Sequence, residues 1–408
     1  MNLYQKLCNE IKKHGTFWNY YGDRFEDVLK SERTAREFIY NYFKKGSKSY
    51  ILSEWSSCSN EDMQVRNMHT VNVFFIGAML QRMVDERILI KSKVSSGYPF
   101  SYIWYLLCLA HDLGYVYENY SEVYLGLSNA FFYRPCYMTK QSIKIMPRSA
   151  WYRDHGIDIP YSVSRNVGRG KGLYNGNRVC RVNGVIEYSN GTIIKEPRYT
   201  AKLINNYFYY RLYEMKTLDH GIIGADELFS KLIINYIREY RVVASQASFT
   251  GTFREFYNEK GLHFSSEQFS IFEYIAECVA AHNIYKAENN EHNKEIYVKY
   301  SLDCLLPEKF EKISYKDDPL LFILCVADTI EPSKRFPNFD NIELLSKISV
   351  DYDVDSNSLC VEIDKELYDS FAGKQYMCNI QKLEEWCEIK VIVRERKMSD
   401  EEFEDLAP

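Results

Sequence analysis

The chain has 408 residues, enough for two or three domains at ~150 residues each and for a sizeable core. Apolar residues make up 46% and charged residues 26%, which excludes a disordered, collagen-like or small disulfide-stapled protein. With 51 Lys and Arg against 56 Asp and Glu the net charge is −5, so the chain as a whole exerts no pull on nucleic acid or an anionic membrane.

Residues 1–60 read as helices with aromatic faces, such as 34–43. The opening stretch, MNLYQKLCNEIKKHG, is amphipathic and holds no signal-peptide core, so a cytoplasmic location is expected. From 65 to 120 two strongly apolar helices flank a Lys/Ser/Gly/Pro turn region at 91–99. The longest apolar run, 102–110, is about half of what a bilayer-spanning helix needs, and no membrane partner is expected. Residues 130–198 change character and read as an insertion. Gly, Arg, Ser and Asn cluster at 162–177, and 179–194 reads as a β-meander with Asn183-Gly184 as a hairpin turn. The Arg/Gly-rich run 165–172 lacks the spacing of a P-loop and is read as a surface loop. Helices resume over 199–258, 265–287 and 318–330. After Pro337 alternating strands (348–363), a helix (365–386) and a strand (389–394) predict a small α/β appendage. The eleven cysteines are scattered without a CxxC pair, which argues against both a disulfide framework and structural zinc.

Five positions carry the chemical signal. His69 opens the apolar stripe Val73, Ile76, Leu80. His111 closes the stripe Trp104, Leu107, Cys108, with Asp112 directly after it and Gly114 ending the helix. His282 continues Ile275, Cys278, Val279, and Asp328 continues Leu321, Leu324, Cys325. Spacings of three, four and seven place His69, His111, His282 and Asp328 on faces that bury. Taken singly, each has a plainer reading, such as a hydrogen-bonded core histidine or a helix-end aspartate. Jointly they exceed what packing or capping predicts. A buried ionised carboxylate is costly unless it is paired or bound to a metal, and imidazoles on other helices accompany these two. Such ligands suit Fe, Mn, Zn or Co, and a carboxylate can bridge two ions.

In this order the residues resemble the HD-domain superfamily of metal-dependent phosphohydrolases, whose two-metal members follow the pattern H…HD…H…H…D. His69 in RNMHTVNVFFIG resembles the first histidine, LCLAHDLGY supplies His111 and Asp112, and LLFILCVADTIEP supplies Asp328. The intermediate histidines are matched by His220 in DHGIIGADELFSKLI and His282 in AECVAAHNIY. His155 lies in a second DHGI tetrapeptide, but Pro160 breaks any helix there, and His220 is preferred.

The resemblance covers roughly residues 60–335. It implies a mainly α helical bundle; with the pattern along the chain, this predicts a helical domain over 1–340 interrupted by the 130–198 insertion, and residues 341–408 as a small α/β subdomain. It also implies one or two divalent transition-metal ions, with His69, His111, Asp112 and Asp328 holding one and Asp112 bridging to a second on His220 and His282. Asp112 and His111 would be catalytic, through a metal-bridging water that attacks a phosphoester or phosphoanhydride of a small nucleotide-like substrate. Many family members carry Lys three residues after the HD doublet, where this chain has Tyr115. Arg66, Tyr115, Lys334 and Arg335 are therefore the candidates for holding the substrate. Two competing expectations are a di-iron oxygenase on the same fold and a non-catalytic nucleotide or metal sensor. A nuclease is not favoured, because no basic, aromatic strip is present.

Overall fold

Two nearly continuous apolar stretches become the helices at the centre of the molecule. The computed structural model describes residues 1–13, 28–43, 66–84, 100–115, 178–182, 185–189, 201–225, 228–229, 232, 266–284, 286–315 and 318–396. In chain order these hold α1 (Leu3–Lys13), α2 (Glu32–Phe43), α3 (Arg66–Val84) and α4 (Phe100–Cys108). The strands β1 (Arg178–Val182) and β2 (Val185–Ser189) follow, then α5 (Ala201–Tyr213), α6 (Ser266–Ala281), α7 (Glu291–Lys299) and α8 (Pro319–Ile330). The last part runs α9 (Asn341–Ser346), β3 (Ile348–Asp353), β4 (Ser358–Ile363), three short helices α10 (Lys365–Asp369), α11 (Phe371–Gln381) and α12 (Leu383–Trp386), and β5 (Lys390–Glu395). The described chain is mainly helical, with one two-stranded hairpin and one three-stranded sheet.

Helix α3 is buried on all sides along most of its length and packs against α8, α2, α1 and α4. A helix that is apolar all round belongs in a core, and this one carries Asn67, His69, Thr70 and Asn72 into it. Two features fix its position. Trp104 of α4 fills the space where a Cβ on Gly77 would sit, and its indole N–H donates to the Phe74 carbonyl at 2.9 Å. At the other end, Glu32 turns both carboxylate oxygens to the Met68 N–H, at 3.2 and 3.1 Å, and so caps α3 from a neighbouring helix. Burial pushes the Glu32 carboxyl up to about 7.

The strands β1 and β2 pair antiparallel around residues 183–184, where the Asn-Gly turn is expected. The third strand of the expected meander lies outside the described residues, as does the 165–172 run. In the last part β3 and β4 pair antiparallel, while β5 adds to β4 in parallel, so α10–α12 form the crossover. The single helix expected over 365–386 is broken because Ser370 accepts the Gly373 N–H at 2.9 Å and starts a new helix.

Two more boundaries depart from the periodicity. Helix α4 ends at Cys108, and residues 109–114 form consecutive tight turns, so the His-Asp doublet lies beyond the helix rather than within it. The helix expected from 199 onward stops at Tyr213. Lys216 takes a left-handed backbone (φ 55), and Asp219 accepts the Ile222 N–H at 2.9 Å to cap a fresh helical segment at 220–225. Among the described residues no helix is long and apolar enough to cross a membrane.

Candidate metal centre

Helix α3 supplies His69, the turns after α4 supply His111 and Asp112, the capped segment 220–225 supplies His220, the end of α6 supplies His282, and α8 supplies Asp328. All except Asp328 are buried, and its side chain is 17% exposed. Their approach depends on Gly114. A Cβ there would collide with the His220 carbonyl oxygen and lie 2.7 Å from the Gly224 N, so two backbones touch where no side chain fits.

Three of the histidines share one tautomer. His111 donates its Nδ1–H to the Cys108 carbonyl at 2.6 Å, and His282 donates its Nδ1–H to the Val279 carbonyl at 2.5 Å. His69 Nδ1 meets Glu331 Oε2 at 2.6 Å. A carbonyl oxygen and a carboxylate only accept, so each Nδ1 carries the proton and each Nε2 presents a lone pair. Those Nε2 atoms and both oxygens of Asp112 are buried and make no hydrogen bond among the described residues.

Such orphaned atoms are costly unless something else satisfies them. Their ligand atoms fall into two groups, His69 with His111 and Asp112, and Asp112 with His220 and His282, each spanning no more than 4.8 Å. Asp112 belongs to both. Its Oδ1 lies 3.3 Å from His111 Nε2 and 3.8 Å from His220 Nε2, while Oδ2 lies 3.5 Å from His69 Nε2. Asp328 Oδ1 is 3.0 Å from His69 Nε2 and 3.8 Å from His111 Nε2, on the side of the first group. This buried cluster of imidazoles and carboxylates can hold a metal ion, and its donor atoms suit a divalent transition metal.

The electrostatics of the two groups differ. Burial opposes ionisation of Asp112, yet His111, Lys334 and His69 hold its carboxyl well below the usual carboxylate range. Burial opposes Asp328 too, and Lys334, His111 and His69 hold it low. Burial and Lys334 pull the His69 imidazole down, but Glu331 and Asp328 outweigh them and leave it raised. In the second group burial pushes His220 down to about 3 and His282 down to about 4.

The side of the cluster that reaches solvent is cationic. Lys334 Nζ lies 3.3 Å from Asp328 and 3.4 Å from Asp112, with its side chain 31% exposed. Arg66 Nη1 lies 3.8 Å from Asp112 Oδ2. Tyr115 stands between Arg66 and His220, and burial pushes its phenol up to about 12. Arg335 is exposed and makes no ion pair with the cluster. His155 lies outside the described residues.

Glu331 has no counterpart in the expected set. It is fully buried, and besides His69 its Oε1 accepts from Asn72 Nδ2 at 2.8 Å and from the Ser333 N–H at 2.9 Å. Asn72 and Asn341 then hydrogen-bond each other, and Asn341 donates to the Leu29 carbonyl. The signal that finds these residues is spacing. Asn72 lies three after His69 and Glu331 three after Asp328, so each shares a helical face with a candidate ligand.

No family model matches this chain, and neither a curated protein nor a solved structure matches it.

Proposed function

We propose that the chain is an HD-type metal-dependent phosphohydrolase acting on a phosphoester or phosphoanhydride of a small nucleotide-like substrate. The observation that carries this reading is the convergence, from distant parts of the chain, of buried His69 Nε2, His111 Nε2, His282 Nε2 and both Asp112 oxygens, whose neighbours are mostly one another and the Asp328 carboxylate. His69, His111, Asp112 and Asp328 would hold one ion. Asp112, His220 and His282 would hold the other. Bound there, the ions supply a water acidic enough to ionise near neutral pH and a clamp for the phosphoryl oxygens.

The chain's own residues do the rest. Glu331, Cys108 and Val279 orient the imidazoles, and Arg66 and Lys334 attract the phosphate on the solvent side. Asp112, held so far below the usual range, is a poor proton acceptor, and as a member of both groups it would serve as a ligand to either ion.

The test is release of orthophosphate or nucleoside monophosphate from a nucleotide panel under Mn, Fe, Zn or Co, with elemental analysis of the same preparations. Two ions per chain, turnover in wild type, and none in His111→Ala and Asp112→Ala are expected. Equal turnover in both variants overturns the mechanism. Oxygen consumption by iron-loaded protein without phosphate release would replace it with the oxygenase reading, and tight nucleotide binding without turnover under any metal would replace it with the sensor.

A further inference from the structure

Tyr115 stands where the resemblance implies a lysine, so a neutral ring occupies the place of a cation. We propose that this ring is a positioning element: it holds the guanidinium of Arg66 over the anion-facing side of the centre and fixes the imidazole plane of His220. The proposal rests on the metal-centre reading above and adds to it how the phosphate-binding cation is held.

The geometry is direct. The Tyr115 N–H donates to the Asp112 carbonyl at 3.1 Å, which ties the ring to the doublet by one turn of backbone. The ring stacks on His220 with centroids 3.6 Å apart and planes 20° apart. The guanidinium carbon of Arg66 lies 3.1 Å from the same ring centroid. Two planar groups that near one centroid must lie on opposite faces, so the three form a sandwich of guanidinium, phenol and imidazole. Lys334 Nζ sits farther from the ring, at 5.6 Å.

The sandwich has a clear role for Arg66. Its Nη1 is buried, makes no hydrogen bond among the described residues and approaches Asp112 only to 3.8 Å. The ring face is therefore the closest contact that sets the direction of this cation. A guanidinium stacked on an aromatic face keeps its in-plane donors free, which is the arrangement that meets a phosphate side-on. A lysine at 115 would add charge but could do neither job, since it offers no face to the guanidinium or the imidazole.

The experiment measures two quantities on metal-reconstituted full-length protein: ions retained per chain after dialysis, and affinity for inorganic phosphate by calorimetry. Tyr115→Phe keeps the ring and is expected to match wild type in both. Tyr115→Leu is expected to weaken phosphate binding about tenfold, within the range of a partly desolvated cation–π contact, and to lose part of the second ion. Arg66→Ala should weaken phosphate to a similar degree while keeping both ions. Adding Tyr115→Leu to it should lower phosphate affinity by less than the product of the two single losses, the remainder following the part of the second ion that is lost. Arg66→Lys keeps the charge without the planar stack, so it should also bind phosphate more weakly. That variant keeps the test decisive if Tyr115→Leu does not fold.

Wild-type affinity and ion content in Tyr115→Leu, full additivity with Arg66→Ala, or wild-type phosphate binding in Arg66→Lys overturns the positioning role. Absence of any bound ion in wild type overturns the metal reading itself and the proposal with it.

Discussion

The two halves of the cluster share Asp112 but are braced differently. Around His69 the support is ionic: the Glu331 carboxylate takes the Nδ1 proton, and Asn72 and the Ser333 amide hold that carboxylate in turn. Around His220 and His282 the support is neutral: the Val279 carbonyl, the Asn283 amide at 2.7 and 3.0 Å from the His220 ring nitrogens, and the Tyr115 ring. The first environment raises its histidine, and the second lowers both of its own. A buried anion behind an imidazole makes it a more basic ligand, while an apolar, amide-lined wall keeps it neutral. The halves therefore differ in how much each depends on one outer partner.

The sharpest way to erase the difference is Asp112→Asn, which removes the ligand common to both groups. Ion content should fall to near zero by elemental analysis, and turnover by more than the ~10–100-fold typical of losing an outer partner. Next is His220→Ala, which removes only one side. Two ions per chain should become one, with the remaining ion retained on dialysis. A loss of both would mean that the halves do not bind independently.

Glu331→Gln probes the ionic brace. Because Oε1 accepts two donors, the glutamine must keep its oxygen there and present its NH₂ to His69. That reverses the imidazole tautomer and puts a hydrogen on Nε2, where the ion needs a lone pair. Metal binding at the first group should weaken ~10–100-fold, measured by competition with a chelator, with the second group unchanged.

The smallest effect is in stability against pH. A histidine whose folded value is lowered contributes stability that is fully present above its unfolded value of 6.5 and is lost as pH falls toward about 4 for His282 and about 3 for His220. His69 has the opposite sign: its contribution is present below 6.5 and is lost as pH rises above it. In metal-free protein His282→Gln should flatten the fall in Tm between pH 6.5 and 4, while His69→Gln should flatten the decline on the alkaline side. Parallel curves for the two variants would remove the contrast between the halves.

Much of this was legible in the sequence because it rests on helical periodicity. Helices α3 and α8 come from stripes that name His69 and Asp328 directly; His69 is buried as its stripe predicts, while Asp328 keeps a partly exposed side chain at the solvent side. The doublet is legible from the apolar stripe before it, but the end of the helix at Cys108 is not, since consecutive tight turns leave no periodic trace. The helical pattern after His220 is legible in the sequence, and the structure starts that helical segment with a cap by Asp219.

Other features are only partly legible. For Glu331 and Asn72 spacing gives the face, three residues after a candidate ligand, but only the partner across the core shows what they hold. Lys334 and Arg335 are adjacent and chemically alike. The backbone bond from the Arg335 N–H to the Pro332 carbonyl belongs to a turn that sends only Lys334 toward the carboxylates.

The bare contact at Gly114 has a mechanical consequence. Because main chain meets main chain there, the gap between the two histidine-bearing halves is set by hard-core repulsion rather than by the reach of any bendable group. Neither salt nor protonation changes such a stop. It works like a fixed spacer, and lengthening it by a single methyl would push the two sets of ligands apart together.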